Sequence, residues 1–357
     1  MSISAPPRQI PLRHAAPAKP ARRLSFARHL PPEAVHKAAA REVLLTDALQ
    51  LAEDRFAVAA VWHRDRFLHH DVRHDLHHDI RGAFHHQLHH GGFSGPTDPL
   101  LAVETARQTL IHLSHRFYGV PEGHPFVLNT LDFDLQDTVT SVLARGPRPV
   151  VLDVTCTRAA RTPRRLGMAL DAAVTVGGAH IGRVRMQWEM LDPRLYALAR
   201  TRARNEARTT APFPRGLRRL APREVGYAYD EHVLLARAPE DAPGEFWLDQ
   251  NTDHPVLFDH PSDHVPGMVL LEAFRQAVTT MGAPDIPLRP ALTHVSAAFT
   301  TFGEPDAPVR ITVRPRSGGP EGPGTAEVSA VQGDTPLVSA HVGYQLPRVL
   351  TRREVAS

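Results

Sequence analysis

Two segments of this 357-residue chain pose the same problem. "DPLLAVETARQTLIH", residues 98–112, and "DHVPGMVLLEAFRQA", residues 263–277, are apolar on nearly every side, yet each carries a glutamate, an arginine and a glutamine within one turn. The first holds Glu104, Arg107 and Gln108; the second holds Glu272, Arg275 and Gln276. Around the second trio Met268, Val269, Leu270, Leu271, Ala273, Phe274, Ala277 and Val278 leave no other polar stripe, and a helix without a wet face is a buried helix. The i, i+3, i+4 spacing points each trio at one spot. A carboxylate there must be paired or functional, since burial alone raises a carboxyl pKa by up to about 3–5 units. Two readings follow: a satisfied polar cluster closing the interface between two halves, or a site.

The surroundings of the two helices also repeat. "REVLLTD" and "FAVAAVWHR" precede the first helix, and "FVLNTLDFDL", "RPVVLDVTCT", "MALDAAVTV" and "HIGRVRMQWEML" follow it. In the second half "EHVLLARA" and "EFWLDQN" precede the helix, and "ALTHVSAAFTTF", "PVRITVRPR", "GTAEVSAV" and "PLVSAHVGYQL" follow it. These runs are rich in Val, Thr and Phe, often alternate, and end on Gly, Pro or Asp turns, which predicts strands. The expected class is α+β, a tandem (double) hotdog in which each unit wraps a long buried helix in an antiparallel β-sheet. The expected division is a disordered basic arm over 1–32, a first hotdog over 33–194 with a His-rich insertion at about 69–93, an Arg/Pro-rich linker over 195–224, a second hotdog over 225–348 and a tail over 349–357.

Composition narrows the function classes. No apolar run reaches the roughly 20 residues of a membrane-spanning helix, and the basic N-terminus lacks the apolar core of a secretory signal, so a cytoplasmic protein without membrane association is expected. The lone Cys156 excludes an internal disulfide and sits in an alternating strand pattern. Only Lys19 and Lys37 are lysines; the other basic residues are arginines, and the net charge is a modest +3. Nucleic-acid binding has no aromatic platform or helix motif behind it. No P-loop, G-x-G-x-x-G ahead of a helix or G-x-S-x-G elbow is present, and no cofactor or metal is expected.

"DHPSDHVPGMVLLEAFRQA" resembles the segment of hotdog acyl-carrier-protein dehydratases in which a histidine loop and Pro-Gly precede a helix with an acidic residue. Over about residues 33–348 the chain more closely resembles the A-factor biosynthesis hotdog family, through "VHKAAAREVLLTDALQ", "WHRDRFLHHD", "DPLLAVETARQ", "HRFYGVP" and "HVPGMVLLEAFRQA". That resemblance implies transfer of a β-ketoacyl group from acyl carrier protein to the hydroxyl of dihydroxyacetone phosphate, the first step of γ-butyrolactone signal synthesis. Other classes compatible with the pattern are a hotdog 3-hydroxyacyl-thioester dehydratase or thioesterase and a non-catalytic acyl- or lactone-binding regulator. Two units in one chain make a monomeric pseudo-dimer or a homodimer the expected assembly.

Attack of an alcohol on a thioester needs a base, donors for the oxyanion and a cation for a phosphorylated acceptor. Glu272 is the expected base or positioning acceptor, and Arg275 a fork for phosphate or for orienting Glu272. N–H groups of Gly267 and Met268, at a helix start, suit the thioester carbonyl. His264 is favoured over His260 as the loop histidine, while His260 and Gln276 are expected to bind substrate. In the first unit Asp98 stands in place of the loop histidine. Asp98 and Gln108 are expected to bind substrate, and Glu104 and Arg107 to form a second catalytic site, a substrate-lining half of a shared site or a structural relic.

Two further signals carry less. The stretch 69–93 contains nine histidines, but lacks the spacing of a defined zinc site and reads better as a polar lid over the first unit. The arginine run at 200–224 and the basic arm read by default as solvated segments, with an acidic carrier protein as the alternative partner.

Overall fold

The computed structural model describes residues 23–64, 66–68, 98–136, 146–162, 164–207, 213–281, 291–317 and 323–345. The His-rich stretch 69–93, residues 1–22 of the arm and the tail from 346 onward lie outside the described residues. Among the described residues thirteen strands form one antiparallel sheet, interleaved with three α-helices. In the first half β1 (Leu45–Ala52) and β2 (Arg55–Trp62) lead to the helix α1 (Pro99–Tyr118). Then come β3 (Phe126–Leu135), β4 (Arg148–Thr162), β5 (Arg165–Val176) and β6 (Ala179–Leu191). The connecting helix α2 (Pro193–Ala207) follows. The second half repeats the plan with β7 (Arg218–Arg219), β8 (Leu235–Arg237), β9 (Glu245–Leu248), α3 (Gly267–Thr279), β10 (Ala291–Phe299), β11 (Val309–Ser317), β12 (Gly324–Gln332) and β13 (Thr335–Gln345).

Sheet order is β1-β2-β4-β5-β6-β3-β10-β13-β12-β11-β9-β8-β7, so the halves meet edge to edge at β3 and β10. That junction is antiparallel, running from His294 opposite Asp134 to Ala298 opposite Thr130. Each half curls around its helix because alternate strand residues point inward: β5 alternates buried and half-exposed along its length, and β12 does the same. Leu100, Leu101, Val103, Ala106 and Leu110 of α1, and Val269, Leu271, Phe274 and Ala277 of α3, fill the two interiors. These are hotdog units. Among the described residues no helix is long and apolar enough to cross a membrane.

Two expectations need correction. Part of the arm is anchored: Leu30 N–H donates to Leu45 O at 2.8 Å, and Ser25 N–H donates to Asp47 at 3.1 Å. The segment expected as a solvated linker begins as α2, in which Arg200 and Ala203 are buried and Tyr196 is half-buried. Spacings of four and three put these residues on one face, but the central member is an arginine, so no apolar period betrays the helix.

Candidate active site

The two E-x-x-R-Q turns are built alike. Gln108 accepts from Leu44 N–H at 2.8 Å and donates to Glu42 O at 2.8 Å and to Glu104 at 2.9 Å. Gln276 accepts from Leu234 N–H at 2.9 Å and donates to His232 O at 2.7 Å and to Glu272 at 2.8 Å. Both glutamines are fully buried and each pins its helix to the segment before a strand. Both, expected as substrate contacts, have amide oxygen and nitrogen engaged by the protein, as buried amides must be.

The arginines also match. Arg107 grips Glu104 with Nε at 2.8 Å and Nη2 at 2.9 Å; Arg275 grips Glu272 at 2.9 and 2.6 Å. The next partner differs. Glu104 meets Lys37 Nζ at 3.2 Å, whereas Glu272 accepts from Tyr227 O–H at 2.7 Å, and Tyr227 also takes a bond from Arg275. Burial opposes charge on Glu104, but Arg107 and Lys37 outweigh it and hold the carboxyl well below the usual range. Burial likewise opposes charge on Arg275, and Glu272, with Tyr227 and Asp98, reverses it and raises the pKa.

A cavity of about 780 Å³ lies between the halves. Its apolar lining comes from both units, Leu110, Phe126, Met186 and Trp188 of the first and Leu257, Leu270, Phe299 and Val338 of the second; its polar part joins Lys37, Glu104 and Arg107 to Asp259, His260, Asp263 and His264 of the second. Gly267 and Met268, at the start of α3, complete the lining. Glu272, expected as the base, is not part of it, nor are Arg275 and Gln276; the Glu272 oxygens accept from Tyr227, Arg275 and Gln276. Glu104 and Arg107 of the first unit line the same cavity as the second unit's loop before α3.

The loop before α3 carries two carboxylate–histidine pairs. Asp259 accepts from Ala38 N–H at 3.1 Å, lies 3.5 Å from Lys37 Nζ and bonds His260 Nδ1 at 2.7 Å. Burial opposes its charge, but His260 and Lys37 lower its pKa. Asp263 bonds His264 Nδ1 at 2.8 Å, accepts from Tyr196 O–H at 2.8 Å and pairs with Arg200 at 3.1 Å. The bond to His264 is the main reason its carboxyl sits below the ordinary range, against a burial cost. An ionised carboxylate on Nδ1 puts the proton there and leaves Nε2 as the accepting nitrogen. Arg200, bound also to Glu304 at 2.6 and 3.0 Å, ties α2 to this loop.

The helix starts differ as well. At α1 the Asp98 carboxylate caps Leu100 N–H at 3.0 Å and takes Phe67 N–H at 2.9 Å. Asp98, expected to bind substrate, caps α1. At α3 the capping position is Pro266, which offers no side-chain acceptor, and the first bonds to Pro266 O come from Val269 and Leu270. The N–H groups of Gly267 and Met268 thus have no acceptor among the described residues, which is the condition for an oxyanion site. Sequence reasoning missed Lys37, His36, Tyr196 and Arg200; the one available signal was that Lys37 is one of two lysines in an arginine-rich chain. Cys156 is buried, its thiol pushed up to about 12 by burial, which makes it a poor nucleophile.

These features have relatives. The 2-oxo-3-(phosphooxy)propyl 3-oxoalkanoate synthase of Streptomyces virginiae is 34% identical over 316 residues, covering 88% of this chain and 97% of its own. The enzyme of the same name from Streptomyces griseus is 30% identical over 260 residues, covering 71% and 75%. Among solved structures, the 12:0-ACP thioesterase from Umbellularia californica aligns with a TM-score of 0.40 at 13% identity, over 72% of this chain and 90% of that one. The A-factor biosynthesis hotdog domain matches residues 18–192 and 209–345, most of both halves, and the chain belongs to that family.

Proposed function

We propose that the chain is an acyltransferase that moves a β-ketoacyl group from an acyl-carrier-protein thioester to the hydroxyl of dihydroxyacetone phosphate, opening γ-butyrolactone synthesis. The observation that carries this is the composite cavity: an apolar lining, an uncapped helix start and carboxylate-oriented histidines meet in one space. The names of the Streptomyces relatives support the same reaction.

In this reading the acyl chain lies along Leu110, Phe126 and Trp188, with the thioester carbonyl oxygen toward Gly267 and Met268 N–H. His260, held by Asp259, takes the hydroxyl proton as the oxygen attacks the carbonyl carbon. The C–S bond breaks, and the carrier's thiolate recovers the proton from His260. His264, held by Asp263 and Tyr196, shapes the entrance. Glu104, already saturated, fixes Arg107 and Lys37. Both halves of the site come from one chain, which supports action as a monomer, with units over 33–194 and 225–348. The cytoplasm, where carrier thioesters are made, is the proposed compartment.

Incubation with a 3-oxoacyl carrier thioester and dihydroxyacetone phosphate should release one thiol per phosphorylated β-keto ester, read by thiol titration and mass spectrometry. Thiol release at an equal rate without the acceptor would make the protein a thioesterase instead.

A further inference from the structure

His36 lines the same cavity, just beyond the 3-10 turn Pro32–Val35, in a left-handed backbone with φ 53° and ψ 53°. Among the described residues it is the one non-glycine with positive φ. The corresponding turn of the second unit, Pro222–Val225, ends on Gly226 with φ 74°. Where the repeat needs only the turn it uses glycine; beside the cavity it keeps an imidazole in a conformation that side chains disfavour, a combination found at functional positions.

The ring is held in one tautomer. His115 Nδ1 lies 2.8 Å from Val120 O, which can only accept, so that nitrogen carries a proton. The Nε2 of a neutral His115 is then an acceptor, 2.9 Å from His36 Nε2, and His36 donates to it. His36 Nδ1 is left with its lone pair. Phe126 packs edge-on against both rings.

The charged groups facing His36 are cationic or can become so: His115 and Arg107 from α1, and His260 from the loop before α3. The nearest carboxylates are already committed, Glu104 to Arg107, Gln108 and Lys37, and Asp259 to His260, Lys37 and Ala38 N–H. Burial and then these cationic neighbours bring His36 down to about 4, so the ring is neutral near pH 7. Arg107 spends Nε and Nη2 on Glu104, leaving Nη1 without an acceptor among the described residues.

We propose that His36 and Arg107 form the subsite for the phosphate group of the acceptor, a phosphate monoester dianion. The inference deepens the transfer reading by naming which residues hold the acceptor's far end. An anion among these groups supplies the missing counter-charge, and His36 takes a proton from solvent on Nδ1 and donates it to a phosphate oxygen. Arg107 Nη1 contributes a second, planar donor.

Sulfate is a suitable probe because it is a dianion that does not itself titrate near neutrality. Calorimetric titration of the full-length protein in buffers of different ionisation heat should show tighter sulfate binding at about pH 6 than at about pH 7.5, with proton uptake. His36→Asn, which tolerates the left-handed backbone, should weaken sulfate binding by roughly 10-fold or more, a loss of about 1.4 kcal/mol, and remove the uptake. His36→Gly, copying Gly226, should do the same without lowering the melting temperature. Equal affinity in wild type and both variants, or wild-type binding without proton uptake, would overturn the subsite. Sulfate carries no acyl group, so this result is independent of turnover. If transfer is active, His36→Asn should raise KM for dihydroxyacetone phosphate more than it lowers kcat, and an unchanged KM would also count against the subsite.

Discussion

The Glu104 and Glu272 clusters share a bonding plan and differ in access. In each, an arginine three residues on and a glutamine four residues on saturate a buried glutamate, and the glutamine pins the helix to the backbone ahead of a strand. Around Glu104 the next ligand is Lys37, shared with Asp259 of the other half, and the space beyond is the cavity. Around Glu272 it is Tyr227, and the helix start of the opposite unit is closed by Asp98. The difference teaches that a buried ionic trio is a structural unit of this fold, and that the two copies differ in what faces them: a histidine-bearing loop with an uncapped helix start beside Glu104, a tyrosine beside Glu272.

That contrast can be attacked in order of expected effect on turnover. His260→Ala should lower kcat by roughly 10²–10⁴-fold, the usual loss for a general base, with the thermal transition unchanged; an active variant would move the base elsewhere. Pro266→Asp would give α3 the cap that α1 has, offering Met268 N–H an internal acceptor. Its expected cost is roughly 10²–10³-fold in kcat, with stability held or raised, and full activity would remove the oxyanion role.

Glu272→Gln should leave kcat per folded molecule within a few-fold of wild type. Its cost falls on stability, about 3–5 kcal/mol for stripping a buried Arg275 of its partner, measured by denaturant unfolding. A 100-fold loss of turnover in folded protein would mean that the second cluster is catalytic after all. The smallest effect concerns acid. His36 and His112 are each lowered to about 4 from 6.5, burial being the main cause, and their counterparts in the repeat, Gly226 and Thr280, cannot titrate. A depressed native pKa gives stability that is fully present above pH 6.5 and is lost as the pH falls toward 4. Replacing His36 by Gly and His112 by Thr should therefore flatten the decline in melting temperature over that window; an identical slope would show that other groups govern it.

Much of the fold was legible because its signals are local. Two all-round apolar helices, each followed by four alternating strand runs, specify a repeated wrapped-helix unit, and β3 to β6 and β10 to β13 appear where the alternation places them. The site was only half legible. Burial shows that Glu272 must be paired, but nothing within its own helix shows which way the pair faces, since that is set by residues such as Tyr227 and Lys37 far off in sequence. Lys37 and Tyr227 follow equivalent turns, a match obscured by their different chemistry. The helix α2 was hidden for a related reason: Arg200 is buried through Asp263 and Glu304, and a hydropathy pattern scores it as solvent-exposed.

The pairing of β3 with β10 has one more implication. When two identical subunits meet along such an edge, every substitution is written twice and both mouths change together. With the two halves encoded separately in one polypeptide, each can drift alone: one helix start has gained an aspartate stopper that its twin lacks, and a lysine in one copy stands where the other has a tyrosine.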